Sequence, residues 1–82
     1  MKRYDNNGLT LRQRDIYNYI VQFKTINGFA PTISEIAEAL YTSRTFVRQS
    51  LYILSDKKYI RYDGTKRRSI VVLKLLDYDK AN

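Results

Sequence analysis

The chain has 82 residues, a net charge of +7, and neither cysteine nor histidine. That length makes one small domain whose core comes from packing alone, because no disulfide and no usual zinc site can brace it. No apolar run approaches the roughly 18 residues of a membrane span, and the amino end lacks a signal peptide's apolar region, so a soluble, cytoplasmic protein without membrane contact is expected.

Residues 1–8 are polar, end in glycine and read as a flexible start. Leu9 and Thr10 then open a helix, with Thr10 as cap, Gln13 at the capping-box position and Leu9 placed to staple the first turn. From Leu11 to about Ile26 the apolar residues recur at helical spacing, with Ile16, Tyr19, Ile20 and Phe23 on one face. Asn27-Gly28 ends this helix, since glycine takes the left-handed closing conformation without steric cost.

Pro31 keeps the preceding residues extended. Thr32 and Glu35 form a second capping box, opening a short helix that runs to about Leu40 on an Ile33, Ile36, Ala37 and Leu40 stripe. A third helix is expected in the stretch 42–55, whose first two residues, Thr42 and Ser43, are both suited to cap it. Only Tyr41 and Thr42 separate it from the second helix, and so tight a connection makes the two cross steeply in a helix-turn-helix.

In the third helix Val47, Leu51 and Leu54 stack on one face with Ser50 beside them, and Phe46 and Ile53 widen it. Arg44, Thr45, Arg48, Gln49 and Tyr52 fill the opposite arc. Arg matches guanine and Gln matches adenine in a DNA major groove, so this face can read sequence. Taken alone, it fits an ordinary solvated helix equally well. Phe46 is assigned to core packing in preference to a thymine methyl.

Two β-branched and aromatic runs follow, over residues 59–62 and 69–75, with Asp63-Gly64 between them as a hairpin signal. The connection carries Lys66, Arg67 and Arg68 in succession. Three helices and a basic hairpin make an α+β, mostly α fold: a winged helix-turn-helix over residues 9–75, with 76–82 as a short tail. Residues 42–74 hold nine basic and two acidic side chains, which accounts for the whole net charge. A basic half beside a neutral half suits a protein that lays one face on a polyanion.

The commonest nucleophile and base pairings cannot be assembled without Cys and His, and the glycines form no phosphate loop. No catalytic residue, metal, cofactor or small-molecule ligand is expected.

The residues also resemble a known family, the amino-terminal DNA-binding domain of LexA-type repressors. The resemblance runs through Leu9-Thr10 with Arg12-Gln13, Ile20, Gly28, Pro31-Thr32 with Glu35-Ile36-Ala37, and Leu40. It continues at Ser43, Leu51, Leu54, Lys57 and Ile60, and fades through the wing to Ile70 and Leu73. It implies a third helix that reads the major groove and a wing that touches the backbone. Three departures stand out: a turn before the third helix about one residue shorter, a more basic and bulkier reading face that implies a different operator, and no self-cleaving, dimerising domain after residue 82.

Together these observations predict a sequence-specific regulator of double-stranded DNA, expected to repress transcription without autoproteolysis. Thr45, Arg48 and Gln49 are the expected base contacts, with Arg44 and Tyr52 at the margin of that set. Ser43, Lys57, Lys66, Arg67 and Arg68 are the expected backbone contacts. A second copy on an adjacent half-site is expected, with the surface around Tyr17, Tyr41, Tyr59 and Tyr62, or the tail from Leu76, as candidate seams. The alternatives are a protein-interaction winged helix and a replication or partition factor of a mobile element.

Overall fold

The computed structural model describes residues 8–73. Helices α1 (Leu11–Asn27), α2 (Ile33–Ala39) and α3 (Arg44–Asp56) precede strands β1 (Ile60–Arg61) and β2 (Val71–Val72). The strands pair antiparallel with Ile60 opposite Val72 and Arg61 opposite Val71. This is the expected three helices and a hairpin wing. Of the start expected to be flexible, all but Gly8 lies outside the described residues, as does the tail from Leu76.

Both capping boxes form. The Thr10 hydroxyl accepts the Gln13 N–H at 3.1 Å, and the Gln13 side chain accepts the Thr10 N–H at 3.0 Å. Thr32 and Glu35 repeat this at 3.1 and 2.8 Å. Each cap satisfies donors that the first helical turn leaves open, a contribution of roughly 1 kcal/mol.

The helix ends show more than the sequence did. Gly28 closes α1 at φ 83°, as its lack of a side chain allows. Tyr41 and Lys58, which do carry side chains, close the next two at φ 55° and 70°. In each case two backbone bonds hold the left-handed residue: Thr42 N–H to the Ala37 carbonyl (3.0 Å) with Tyr41 N–H to that of Glu38 (3.4 Å), and Tyr59 N–H to Leu54 with Lys58 N–H to Ser55 (both 3.0 Å). These are Schellman closures, and they return carbonyls that would otherwise be unpaired. The turn between α2 and α3 therefore occupies residues 40–43, longer than the two residues expected. Ser43 rather than Thr42 is the cap, its Oγ accepting the Phe46 N–H at 3.0 Å.

The core gathers Leu9, Ile16, Tyr17 and Ile20 with Ile36, Ala37, Val47, Leu51 and Leu54 from the helices, and Tyr59, Ile60 and Ile70 from the wing base. Fully burying one Leu or Ile contributes roughly 1.5–3 kcal/mol, so these contacts dominate stability. Tyr17 and Tyr59 are buried, with ring centroids 5.8 Å apart. They cannot belong to the tyrosine seam expected for pairing of two copies; of that group Tyr62 is half-buried and Tyr41 is 94 % exposed. Phe46 is half-buried against the core, as expected, and Ile53 is more exposed than expected at 38 %.

The strands are shorter than the runs that signalled them. Tyr59 spends its N–H on the α3 closure and gives only its carbonyl to the hairpin, accepting the Leu73 N–H at 2.8 Å. Between the strands, residues 62–70 form a wide loop in place of a tight Asp-Gly hairpin turn. Gly64 is not left-handed, and the turn is made instead by Asp63. Its carboxylate accepts the Thr65 N–H (2.9 Å) and hydroxyl (2.6 Å), and its carbonyl accepts the Lys66 N–H (3.1 Å). Ser69 Oγ then ties the two arms together, donating to the Asp63 carbonyl and accepting the Asp63 N–H.

Candidate nucleic-acid interface

Helix α3 lies with Val47, Ser50, Leu51 and Leu54 buried, which leaves Arg44, Thr45, Arg48, Gln49 and Tyr52 exposed on its outer arc. The burial follows from the period of the apolar residues, and the polar arc is its complement. Beside this arc an open groove separates α3 from the wing. Its walls are the start of α2 (Pro31 to Ser34), Arg44 and Arg48 of α3, and residues 64–70 of the wing. Lys66 and Arg67 are exposed on the wing side. Four cations thus converge on one concavity, whose field favours an anion.

The wing is held against α3 by aromatic contacts. The Tyr52 and Tyr62 rings meet edge to face, centroids 5.6 Å apart, and a Cβ added at Gly64 would lie 3.2 Å from the Tyr52 hydroxyl. Tyr52, expected at the groove margin, is thus also a prop for the wing. A side chain at Gly64 would push on the Tyr52 hydroxyl, so this glycine matters for close approach rather than for backbone freedom.

Arg68 is placed differently from the neighbours it was grouped with. Its Nη1 donates to Glu35 Oε1 and to the Ala30 carbonyl, both at 2.9 Å, and its Nη2 donates to Glu35 Oε2 at 3.0 Å. The guanidinium also sits over the Phe29 ring, 4.8 Å from its centroid. A fork-to-fork pair of this kind fixes direction as well as distance. The bond from Arg68 is the main cause holding the Glu35 carboxyl down at about 2, aided by the Thr32 N–H, while desolvation opposes both. Glu35 in turn raises Arg68 above the ordinary guanidinium range. Asp63 is lowered by the Thr65 hydroxyl and then by the Thr65 N–H.

Two further basic residues lie away from the groove. The Lys57 ammonium is near Gly8, where an added Cβ would sit 3.4 Å from it, at the opposite end of α3 from the groove. Arg12 donates to the Leu40 carbonyl at 3.0 Å and so joins α1 to the end of α2.

The structure therefore brings Arg44, Arg48, Lys66, Arg67 and Arg68 around one groove, sets Thr45 and Gln49 on the adjoining arc of α3, and separates Lys57 from them. Sequence reasoning missed Glu35, Phe29 and Tyr62 as supports of the wing. Glu35 was legible only as a cap, because its partner lies 33 residues away. Among the described residues no group of three or more His, Cys, Asp or Glu is placed to hold a metal, and no helix is long and apolar enough to cross a membrane.

Comparison with known proteins matches residues 6–69 to the family described as the LexA DNA binding domain. LexA repressors of Staphylococcus aureus, from strains Mu3 and USA300 among others, are 41 % identical over 75 residues. The aligned region covers 90 % of this chain but 36 % of each relative, so the chain spans little more than a third of their length.

Proposed function

Since the chain belongs to the LexA DNA-binding-domain family, we propose that it binds double-stranded DNA in a sequence-specific manner and acts in the cytoplasm as a transcriptional repressor. The observation that carries this reading is the shared groove. Arg44 and Arg48 on α3 face Lys66 and Arg67 on the wing, beside the exposed Thr45 and Gln49.

In this reading α3 enters the major groove. Thr45, Arg48 and Gln49 meet base edges there, and Arg44 and Tyr52 mark the edge of the contact. Ser43, Lys66 and Arg67 hold phosphates flanking the helix, and Lys57 holds one at its far end. The work is binding, with no catalytic group required. A single winged helix offers roughly 600–1,000 Å² of interface, so a tight complex takes a second copy on an adjacent half-site. The reading face differs from that expected of a LexA repressor in carrying Arg44 and Arg48, so the preferred site differs as well.

Selection of bound sequences from a random duplex pool tests this directly. Enrichment of a defined motif, repeated at a fixed spacing, is the expected result. Gln49→Ala should then lose preference at one base pair, at roughly 1–3 kcal/mol, while Arg67→Ala should weaken binding to every duplex and lower the salt slope by about one. Equal losses from both variants on matched and scrambled duplex would remove the division between reading and anchoring residues. Binding without any enriched motif would point to a sequence-neutral role, and failure to retain duplex at low salt would point to a protein partner.

A further inference from the structure

We infer that Arg68 is the positioning residue of the wing rather than one of its phosphate contacts, and that Glu35 is the other half of the same device. The inference rests on the DNA-binding reading and deepens it. Arg68 stands next to Lys66 and Arg67 in the chain, but its guanidinium turns inward, onto the Glu35 carboxylate, the Ala30 carbonyl and the face of Phe29. Its charge is neutralised at contact distance before any phosphate arrives. Its backbone is left-handed at φ 53°, a conformation that opposes a bulky side chain and persists only when surrounding contacts hold it.

The partners explain what is being positioned. Glu35 is fixed by the Thr32 N–H at the start of α2. Phe29, though 48 % exposed, packs edge-on against Phe23 of α1, with centroids 5.8 Å apart. Arg68 therefore anchors the returning arm of the wing to α2 and to the α1–α2 connection, and through Phe29 to α1. With Tyr52 and Tyr62 bracing the other arm against α3, the separation of Lys66 and Arg67 from Arg44 and Arg48 is set before DNA binds. Preorganisation of this kind raises affinity by removing the cost of ordering the loop on binding.

The sign of one substitution separates the two roles. Glu35→Gln keeps the capping box but breaks the two-pronged pair, and it removes a negative charge from the edge of a basic groove. If Arg68 simply holds a phosphate, this change frees it and tightens binding. If the pair positions the wing, binding weakens, by about three- to tenfold.

Titration of a fluorescent duplex with wild type, Glu35→Gln, Arg68→Gln and the double variant measures this, with circular dichroism to confirm that each retains its helices. The expected result is weaker binding for Glu35→Gln and a double variant no weaker than Arg68→Gln alone, because both changes remove the same interaction. Amide exchange on the free proteins should quicken in residues 62–70 and stay unchanged in α3. Tighter or unchanged binding for Glu35→Gln, or wing exchange identical to wild type, overturns the inference. Loss of duplex binding by the wild type itself would sink the DNA reading, and faster wing exchange in Glu35→Gln would then still report the pair as a wing anchor without a DNA role.

Discussion

The helices and the wing are assembled from different interactions. Residues from α1, α2 and α3 meet through buried aliphatic and aromatic side chains, among which Ile16, Ile36, Val47, Leu51 and Leu54 are almost inaccessible. Beyond Tyr59, Ile60 and Ile70 at its base and the Tyr52–Tyr62 contact with α3, the wing depends on polar bonds at half-exposed and exposed positions: Arg68 to Glu35, Asp63 to Thr65, and Ser69 to Asp63. Burial of apolar surface is indifferent to pH and responds weakly to salt, whereas exposed ion pairs respond to both. The placement of the wing should therefore depend on solution conditions more than the packing of the three helices does.

The largest effect should come from the helices. Leu51→Ala empties a fully buried position on the inner side of α3, and the midpoint of urea unfolding should report a loss of roughly 2–5 kcal/mol. A loss below about 1 kcal/mol would mean that the core is less tightly packed under α3 than its burial implies.

Acid should act on the wing first. The Glu35 carboxyl is depressed from 4.5 to about 2, so its contribution is complete above pH 4.5 and lost as pH falls through 2. Asp63 is lowered as well and acts in the same direction. Amide exchange between pH 4.5 and 2 should therefore show the wing loop losing protection ahead of α3. Simultaneous loss in both regions would show that wing and bundle form one cooperative unit.

The smallest effect concerns the one place where the contrast fails. Ser50 Oγ is buried in the apolar face of α3 and, among the described residues, is the buried side-chain oxygen without a hydrogen-bond partner. Ser50→Ala should be neutral or stabilising by about 1 kcal/mol, since an unsatisfied hydroxyl leaves the core and little volume changes. A clear destabilisation in thermal unfolding would show that the hydroxyl has a role that packing does not reveal.

How much could be read in advance also divides along this line. The caps at Thr10 and Thr32, the closure at Gly28 and the buried set of Val47, Ser50, Leu51 and Leu54 were all legible, because each depends on residues within a few positions of one another. The two-residue turn was misjudged because left-handed Tyr41 is a costly conformation with no glycine to announce it. Tyr17 was placed outside the core because one of the rings it packs against, Tyr59, comes two helices later in the chain. Arg68 was grouped with Lys66 and Arg67 for the same reason: adjacency in the chain says that three cations share a loop, not which way each points.

Local spacing and capping chemistry were therefore enough to set three helices, a basic hairpin and an exposed polar arc carrying Arg48 and Gln49, since helical periodicity acts over a handful of residues. The tertiary structure alone decided that Arg44 and Arg48 share a groove with the wing, and that Arg68 pairs with Glu35. Those pairings join residues some 15 to 35 positions apart, and no short-range pattern encodes a distance that only the folded chain creates.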